Sequence, residues 1–343
     1  MGKPSGSKGI YAFKMDEKTG VLSEAAFESR CGNPSYITVC KDNGCLYAGS
    51  EQVDSAQVYA YKIDPAAGSL SLINSQKSTG AALCHICVDK DCRLLIASHY
   101  LSGNVTVFPL NEDGSLREMK YNYQHHGKSI DTKRQEAQHA HSTIFSPDEK
   151  IAYTADLGMD KIVLYKVDKE KGTIVPNDDL PYIKVTPGEG PRHFAFHPNG
   201  KYVYLTTEMG SSVIVYEYDS KTGNLEEKQK ISTLPPSFTG MNLAADIHIS
   251  GDGKYLYVSN RGHNSIAMYS VDPETGLISG GDYFPTLGNW SRFFAISPDG
   301  RFMIIANQLS DNATVFEIDP ETGVLGEMIQ NIKIPQPVCI AFY

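Results

Sequence analysis

The 343-residue chain has a single tryptophan and no apolar run approaching the roughly 18 residues that a membrane span needs. Its opening residues, Met1 to Gly9, lack the apolar stretch of a secretory signal. Together these absences make the cytoplasm the expected compartment and a membrane partner unexpected. Positive charge is in deficit too: 31 Lys and Arg face 40 Asp and Glu, a net charge of −9, which argues against bulk nucleic-acid binding. Cysteine is scarce and odd in number at seven, with Cys40, Cys45 and Cys339 inside strand-like runs. Cys84 and Cys87, with Cys92 beyond, lack the second ligand pair of a zinc site. Reduced, mostly buried thiols packing as small apolar groups are expected. No acidic cage for calcium is evident in the pattern.

What the chain does have is a repeat. Asp16-to-Leu22 recurs at Asp64–Leu70, Asn111–Leu116, Asp168–Ile174, Asp219–Leu225, Asp272–Ile278 and Asp319–Leu325, with turn glycines 46 to 58 residues apart. In each, Asp or Asn can accept local backbone hydrogen bonds while Gly takes the left-handed position. A second motif, an Asn-Gly or Asp-Gly hairpin between apolar alternations, precedes six of these turns. It is clearest at His197–Tyr204, Ser250–Tyr257 and Ser297–Ile304, and weakest at Lys41–Tyr47, Asp89–Leu95 and Ser146–Ala152. Each unit then reads strand a, hairpin, strand b, loop, strand c, Asp-Gly turn, strand d. The prediction is all-β: one seven-bladed β-propeller over residues 1–343, with four-stranded antiparallel blades. The closing blade is expected to combine strand c at Gly9–Phe13 with strand a at Pro337–Phe342. Its strand b is missing or irregular, because Met1 to Lys8 is a poor strand.

In this meander the a–b hairpins and c–d turns share one face, and the d–a and b–c loops share the other. On the second face equivalent positions of the repeat differ in chemistry. Strand a is entered through His139-Ala-His141, Arg192-His193, Asp246 with His248, and Arg292, while strand b is followed by Glu51, His99, Asp156, Glu208, Arg261 and Asn307. Turn geometry does not require such variety, so a site is expected there. Arg192 and Arg261 suit an anionic substrate or a developing oxyanion. Glu208 and His141 are the candidates for proton transfer, and the residues leave open which of them acts. His139, His193, Asp246, His248 and Arg292 are the expected substrate contacts. The bland alternatives are an Arg192–Glu208 structural ion pair, core roles for His141 and His248, and packing of Arg292 beside Trp290. The segment from Tyr121 to His139 reads as a d–a loop that adds positive charge and can act as a lid. Its histidines, His125, His126 and His139, with His141, have no fixed carboxylate or cysteine partner, so neither metal nor cofactor is expected.

At His139–Ser142, Gly190–Gly200, Ala244–Ile249 and Ser259–Gly262 the chain resembles the propeller-type 6-phosphogluconolactonases, a family that includes fungal carboxymuconate cyclases. The resemblance covers roughly residues 9 to 342. It implies a catalytic set of His141, Arg192, Arg261 and Glu208, and metal-free hydrolysis of 6-phospho-D-glucono-1,5-lactone in the pentose phosphate pathway. The expected partner is a small anionic lactone, and the expected state a monomer or weak homo-oligomer. Two departures stand out: the strand that usually precedes the Gly9 run is absent, and Ser291-Arg292 replaces a Pro-Arg pair. A carboxymuconate cycloisomerase and a non-catalytic propeller that binds a ligand or protein on its polar face are the competing readings.

Overall fold

The turns close as their residues require. In the computed structural model, which describes residues 6–24 and 26–343, Asp16 Oδ1 accepts the backbone N–H of Lys18 at 3.0 Å and of Thr19 at 2.9 Å. Asp272 and Asp319 do the same for the residues two and three positions on. Gly20, Gly68, Gly114, Gly172, Gly223, Gly276 and Gly323 all have φ between 58° and 86°. At Gly323 a side chain would also strike the Tyr255 ring, so the position requires glycine twice over.

The chain divides into two compact units, one built mainly from Ala26–Pro191 with Lys8–Ala12, the other mainly from Phe13–Ala25 with Arg192–Phe342. The first contains three antiparallel meanders. These are Pro34–Cys40, Cys45–Ser50, Gln57–Asp64 and Ser69–Lys77; then Leu83–Val88, Leu94–His99, Asn104–Pro109 and Tyr121–Gln124; then Ala140–Phe145, Ile151–Asp156 and Lys161–Asp168. The last of these pairs with two short segments, Thr173–Pro176 and Tyr182–Lys184, in place of one strand d. Pro176 and Pro181 bracket the break, and proline cannot donate to a ladder. Gly9–Ala12 pairs with Ala26–Arg30 as a two-stranded sheet. The second unit holds Pro191–Phe196, Tyr202–Thr207, Ser212–Tyr218 and Leu225–Ser232; Leu243–Ile249, Tyr255–Arg261, Ser265–Val271 and Ile278–Pro285; and Ser291–Ile296, Phe302–Asn307, Asn312–Ile318 and Leu325–Lys333. Among the described residues, five four-strand meanders and one whose strand d is split in two are thus present, all in the expected order. Among the described residues the only helix is the short turn Gln308–Ser310, so none is long and apolar enough to cross a membrane.

Strands b are buried along their whole length because sheets cover both of their faces, whereas strands d alternate toward solvent. Tyr204, Val213, Val215, Ile247 and Val258 fill the space between the first two sheets of the second unit; Tyr257, Met268, Phe294, Met303 and Ile305 fill the next. In three sheets a tyrosine in strand b fastens the sheet to the following c–d turn: Tyr47 Oη donates to Gly114 O at 2.9 Å, Tyr204 to Gly276 O at 3.0 Å and Tyr257 to Gly323 O at 2.8 Å. A strand-d amide adds a two-way lock. Asn74 pairs with the backbone of Leu116, and Gln229 with that of Ile278. Gln330 of the last sheet makes this same lock with Leu22, at 2.8 and 3.1 Å. The Asp16–Gly20 turn near the N-terminus therefore occupies, beside the last sheet, the place each later turn occupies beside its predecessor.

Three expectations are corrected. Residues 334–343 carry no strand, so Pro337–Phe342 is not a strand a, although Ile340 and Phe342 pack against the cluster of Leu22, Ile304 and Val315. Gly6–Lys8 form no strand, in line with the missing strand b, and residues 1–5 lie outside the described residues. Tyr121–Gln124 is a paired strand d rather than loop, and the segment after it is anchored by buried His125 and Gln135 rather than free to move as a lid. Finally, Cys40 and Cys92 form a disulfide with Cα atoms 6.1 Å apart, while Cys31, Cys45, Cys84, Cys87 and Cys339 are free. The two partners sit at the hairpins of neighbouring sheets, a proximity that 52 residues of separation conceal.

Candidate functional site

Backbone irregularity at the start of strand a positions the varied side chains. Asn33, Ala82, Gly190 and Trp290, each immediately before a strand a, have positive φ. The a–b register then slips, inserting Ser35, Cys84, His141 and Arg292 as extra residues, with a corresponding slip at Ala245–Asp246. A bulge turns a side chain out of the ladder toward the strand end. Three of the expected site residues, His141, Asp246 and Arg292, are thus bulge residues. The hydrophobic pattern gave no warning of this device.

In the second unit the structure brings Arg192, Glu208 and Arg261 together. Glu208, one residue past Tyr202–Thr207, accepts on a single oxygen, Oε2, the Arg192 Nε–H at 3.0 Å and an Arg261 Nη2–H at 2.7 Å. Arg192 also donates from Nη1 to the Ala245 carbonyl at 2.7 Å, and Arg261 from Nη2 to Ala244 O at 3.0 Å. All three side chains are at most 5% exposed. Burial, reinforced by repulsion from Arg261, lowers the Arg192 pKa to about 10; it stays charged at neutral pH. Arg261 lies 5.6 Å from the Trp290 ring, so the tryptophan faces Arg261, where the sequence suggested Arg292. Trp290 holds φ 64° to do so, and its N–H is held by Asn264 Oδ1 at 2.8 Å.

Beside this trio, Asp246 bridges two histidines: Oδ1 lies 2.8 Å from His193 Nδ1 and Oδ2 lies 2.8 Å from His248 Nε2. Burial works against the Asp246 carboxylate, but the two rings outweigh it and hold its pKa well below the ordinary range. Burial next to Arg192 drops His193 to about 4, so it is neutral and donates from Nδ1 to Asp246. For His248 burial is outweighed by Asp246, and the pKa rises. Three arginines, counting Arg292, against two carboxylates leave the cluster with an excess of positive charge.

His139 and His141 belong to the first unit. There the Tyr100 ring stacks on His139 at 4.5 Å and meets His141 edge-on at 5.6 Å. Asp156, which the sequence did not single out as a site residue, organises the segment. Its Oδ1 accepts the His139 backbone N–H at 2.8 Å, and its Oδ2 lies 2.6 Å from His125 Nδ1. His125 Nε2 in turn meets Tyr165 Oη at 2.8 Å. His125 therefore serves this hydrogen-bonded chain and is not held out for a metal. Only the alternation of residue types after strand b pointed toward Asp156.

The family described as "Lactonase, 7-bladed beta-propeller" matches residues 1–342. The chain belongs to this lactonase family. Among curated lactonase relatives, the Bacillus subtilis protein named 6-phosphogluconolactonase is 37% identical over 98% of this chain and 95% of its own length. One of the same name from Formosa agariphila is 34% identical, over 84% and 82%. Among solved structures, the Pseudomonas aeruginosa periplasmic gluconolactonase superimposes with a TM-score of 0.93 at 30% identity, covering 97% of this chain and 94% of its own. The lactonase family fold is the all-β propeller of four-stranded antiparallel blades, in agreement with the meanders described above.

Proposed function

We propose that this lactonase-family chain hydrolyses 6-phospho-D-glucono-1,5-lactone to 6-phosphogluconate, a step of the pentose phosphate pathway, in the cytoplasm. The observation that carries the reading is the buried Arg192–Glu208–Arg261 trio with its excess positive charge. Taking three charges out of water costs several kcal/mol per ion before their attraction is counted, so a buried ion cluster is a poor device for stability. It is a good one for holding guanidinium groups rigid against a phosphorylated, ester-like substrate.

In this mechanism water attacks the lactone carbonyl carbon, the arginines stabilise the oxyanion, and the ring oxygen leaves with a proton as the C–O bond breaks. Glu208, ionised between two guanidinium groups, is a weak base, and its role is to orient Arg192 and Arg261. His141 is the proton acceptor that the family resemblance supplies. His193, Asp246, His248, Arg292 and His139 are the proposed substrate contacts. The bound lactone needs no metal in this scheme. Seven turn repeats, and the Gln330–Leu22 lock that seats the first turn beside the last sheet, support a single seven-bladed ring over the whole chain, monomeric or weakly associated. The Bacillus subtilis relative's name supports the phosphorylated substrate. The test is a panel of lactones with and without phosphate. Purified protein should open the phosphorylated lactone faster than buffer, and Arg192→Ala should abolish the gain. A rate equal to the spontaneous one removes the proposal.

A further inference from the structure

The two hairpins that match the repeat least well are Asp89–Leu95 and Ser146–Ala152. In the other copies a glycine takes the left-handed hairpin position, at Gly44, Gly200, Gly253 and Gly300. Here Cys92 and Glu149 take it instead, both at φ 54°. The fold sets these two hairpins side by side, and Asp89, Asp91 and Glu149 converge with their ligand oxygens within 4.8 Å of one another.

Backbone groups aim the buried carboxylates. Asp89 Oδ1 accepts the N–H of Arg93 at 2.7 Å and of Leu94 at 2.6 Å. Glu149 Oε1 accepts the N–H of Lys90 at 2.7 Å. One oxygen of each is thereby spoken for and the other faces the cluster. Glu149 Oε2 and Asp91 Oδ2 meet Lys169 Nζ at 2.5 and 2.6 Å. Asp89 Oδ2 is fully buried, accepts no hydrogen bond, and stands 4.0 Å from that nitrogen. A buried carboxylate oxygen left in this state is costly, and one lysine does not reach it. Three carboxylates face the Lys169 ammonium, with Arg93 and Lys90 also acting on Asp91; an oxygen-only set of this kind is the complement of a hard cation.

We propose that Asp89, Asp91 and Glu149 form a calcium-binding site in which Lys169 is the exchangeable resident cation. The donors are all oxygen, which suits a hard ion and not zinc or copper. The carboxylates come from two separate hairpins and form an irregular set, which the flexible coordination of calcium accepts and the strict octahedron of magnesium does not. Lys169 keeps 34% of its side chain exposed and can swing into water when the ion enters. The ion would tie the hairpin that carries disulfide-bonded Cys92 to its neighbour. Its role is structural, since the site lies at the hairpin ends of these strands, away from the b–c ends that carry Tyr100 and Asp156. The sequence showed no acidic cage because the three carboxylates come from two hairpins about 60 positions apart.

The test is calcium chloride titrated into chelator-stripped full-length protein, followed by calorimetry and thermal denaturation, with magnesium chloride in parallel. Saturating calcium should raise the Tm of the parent by about 4 °C at a hundredfold excess over Kd. Lys169→Met, which removes the competitor, should bind calcium at least tenfold more tightly. Asp91→Asn, at an exposed position, should bind at least tenfold more weakly. Magnesium should bind more weakly than calcium throughout. Absence of calcium binding by both the parent and Lys169→Met at 10 mM overturns the site, as does equal binding by Asp91→Asn. Magnesium binding as tightly as calcium overturns the choice of ion.

Discussion

Glu208→Gln separates the two roles that a glutamate at this position can hold. The substitution keeps shape and volume but removes the one negative charge that Arg192 and Arg261 share at 3.0 and 2.7 Å. Two guanidinium groups are then buried side by side, with the amide oxygen able to satisfy them only weakly. Breaking a buried pair by neutralising one partner typically costs about 3–5 kcal/mol. With an unfolding entropy of about 2.1 cal/mol/K per residue, a chain of this length loses about 1.4 °C of Tm per kcal/mol, so the expected fall is about 4–7 °C. Activity should fall with it by about a hundredfold in kcat/KM, because displaced guanidinium groups lose their aim. Glu208→Asp keeps the charge and should recover most of the stability. The assays are differential scanning calorimetry and the lactonase rate at several pH values. A base would leave stability untouched and shift the acid limb of the pH profile; a holder lowers stability and leaves the profile's shape alone. A Glu208→Gln protein within 1 °C of the parent would refute the buried-pair argument.

His193 titrates at about 4 when folded, below its ordinary value, so the unfolded chain binds more protons between that value and about 6.5. Stability contributed by the neutral ring is complete above this window and is lost as pH falls through it; His193→Gln should flatten that slope in urea titrations. Trp290 holds a left-handed backbone, so Trp290→Gly should be more stable than Trp290→Ala by about 1 kcal/mol. The reverse order by urea denaturation would show that the backbone does not govern this site. Asp156→Asn should lower kcat about tenfold with KM nearly constant, since Asp156 anchors the His139 N–H. Thiol titration of the denatured, non-reduced protein should return five thiols. Seven would mean that Cys40 and Cys92 stay reduced, as a cytoplasmic protein would keep them.

The meander and its turns were legible in the chain because they are local. An Asp that caps its own turn and a glycine at positive φ act within five residues, and seven copies make the period plain. The polar strand ends were legible for a related reason: a repeat whose partners differ only on one side advertises that side. The varied strand ends pointed to Arg192, Glu208 and Arg261 and the resemblance named them again, yet only the tertiary structure decided that one oxygen of Glu208 serves both arginines, and that Asp246 joins His193, kept neutral by burial beside Arg192, to His248, whose pKa it raises. It also decided which cysteines meet, that His125 serves Asp156, and that three distant carboxylates converge around Lys169. Each of these depends on the lateral packing of sheets, which sets neighbours about 50 positions apart in contact. Local sequence periodicity carries no record of which side chains that packing will join.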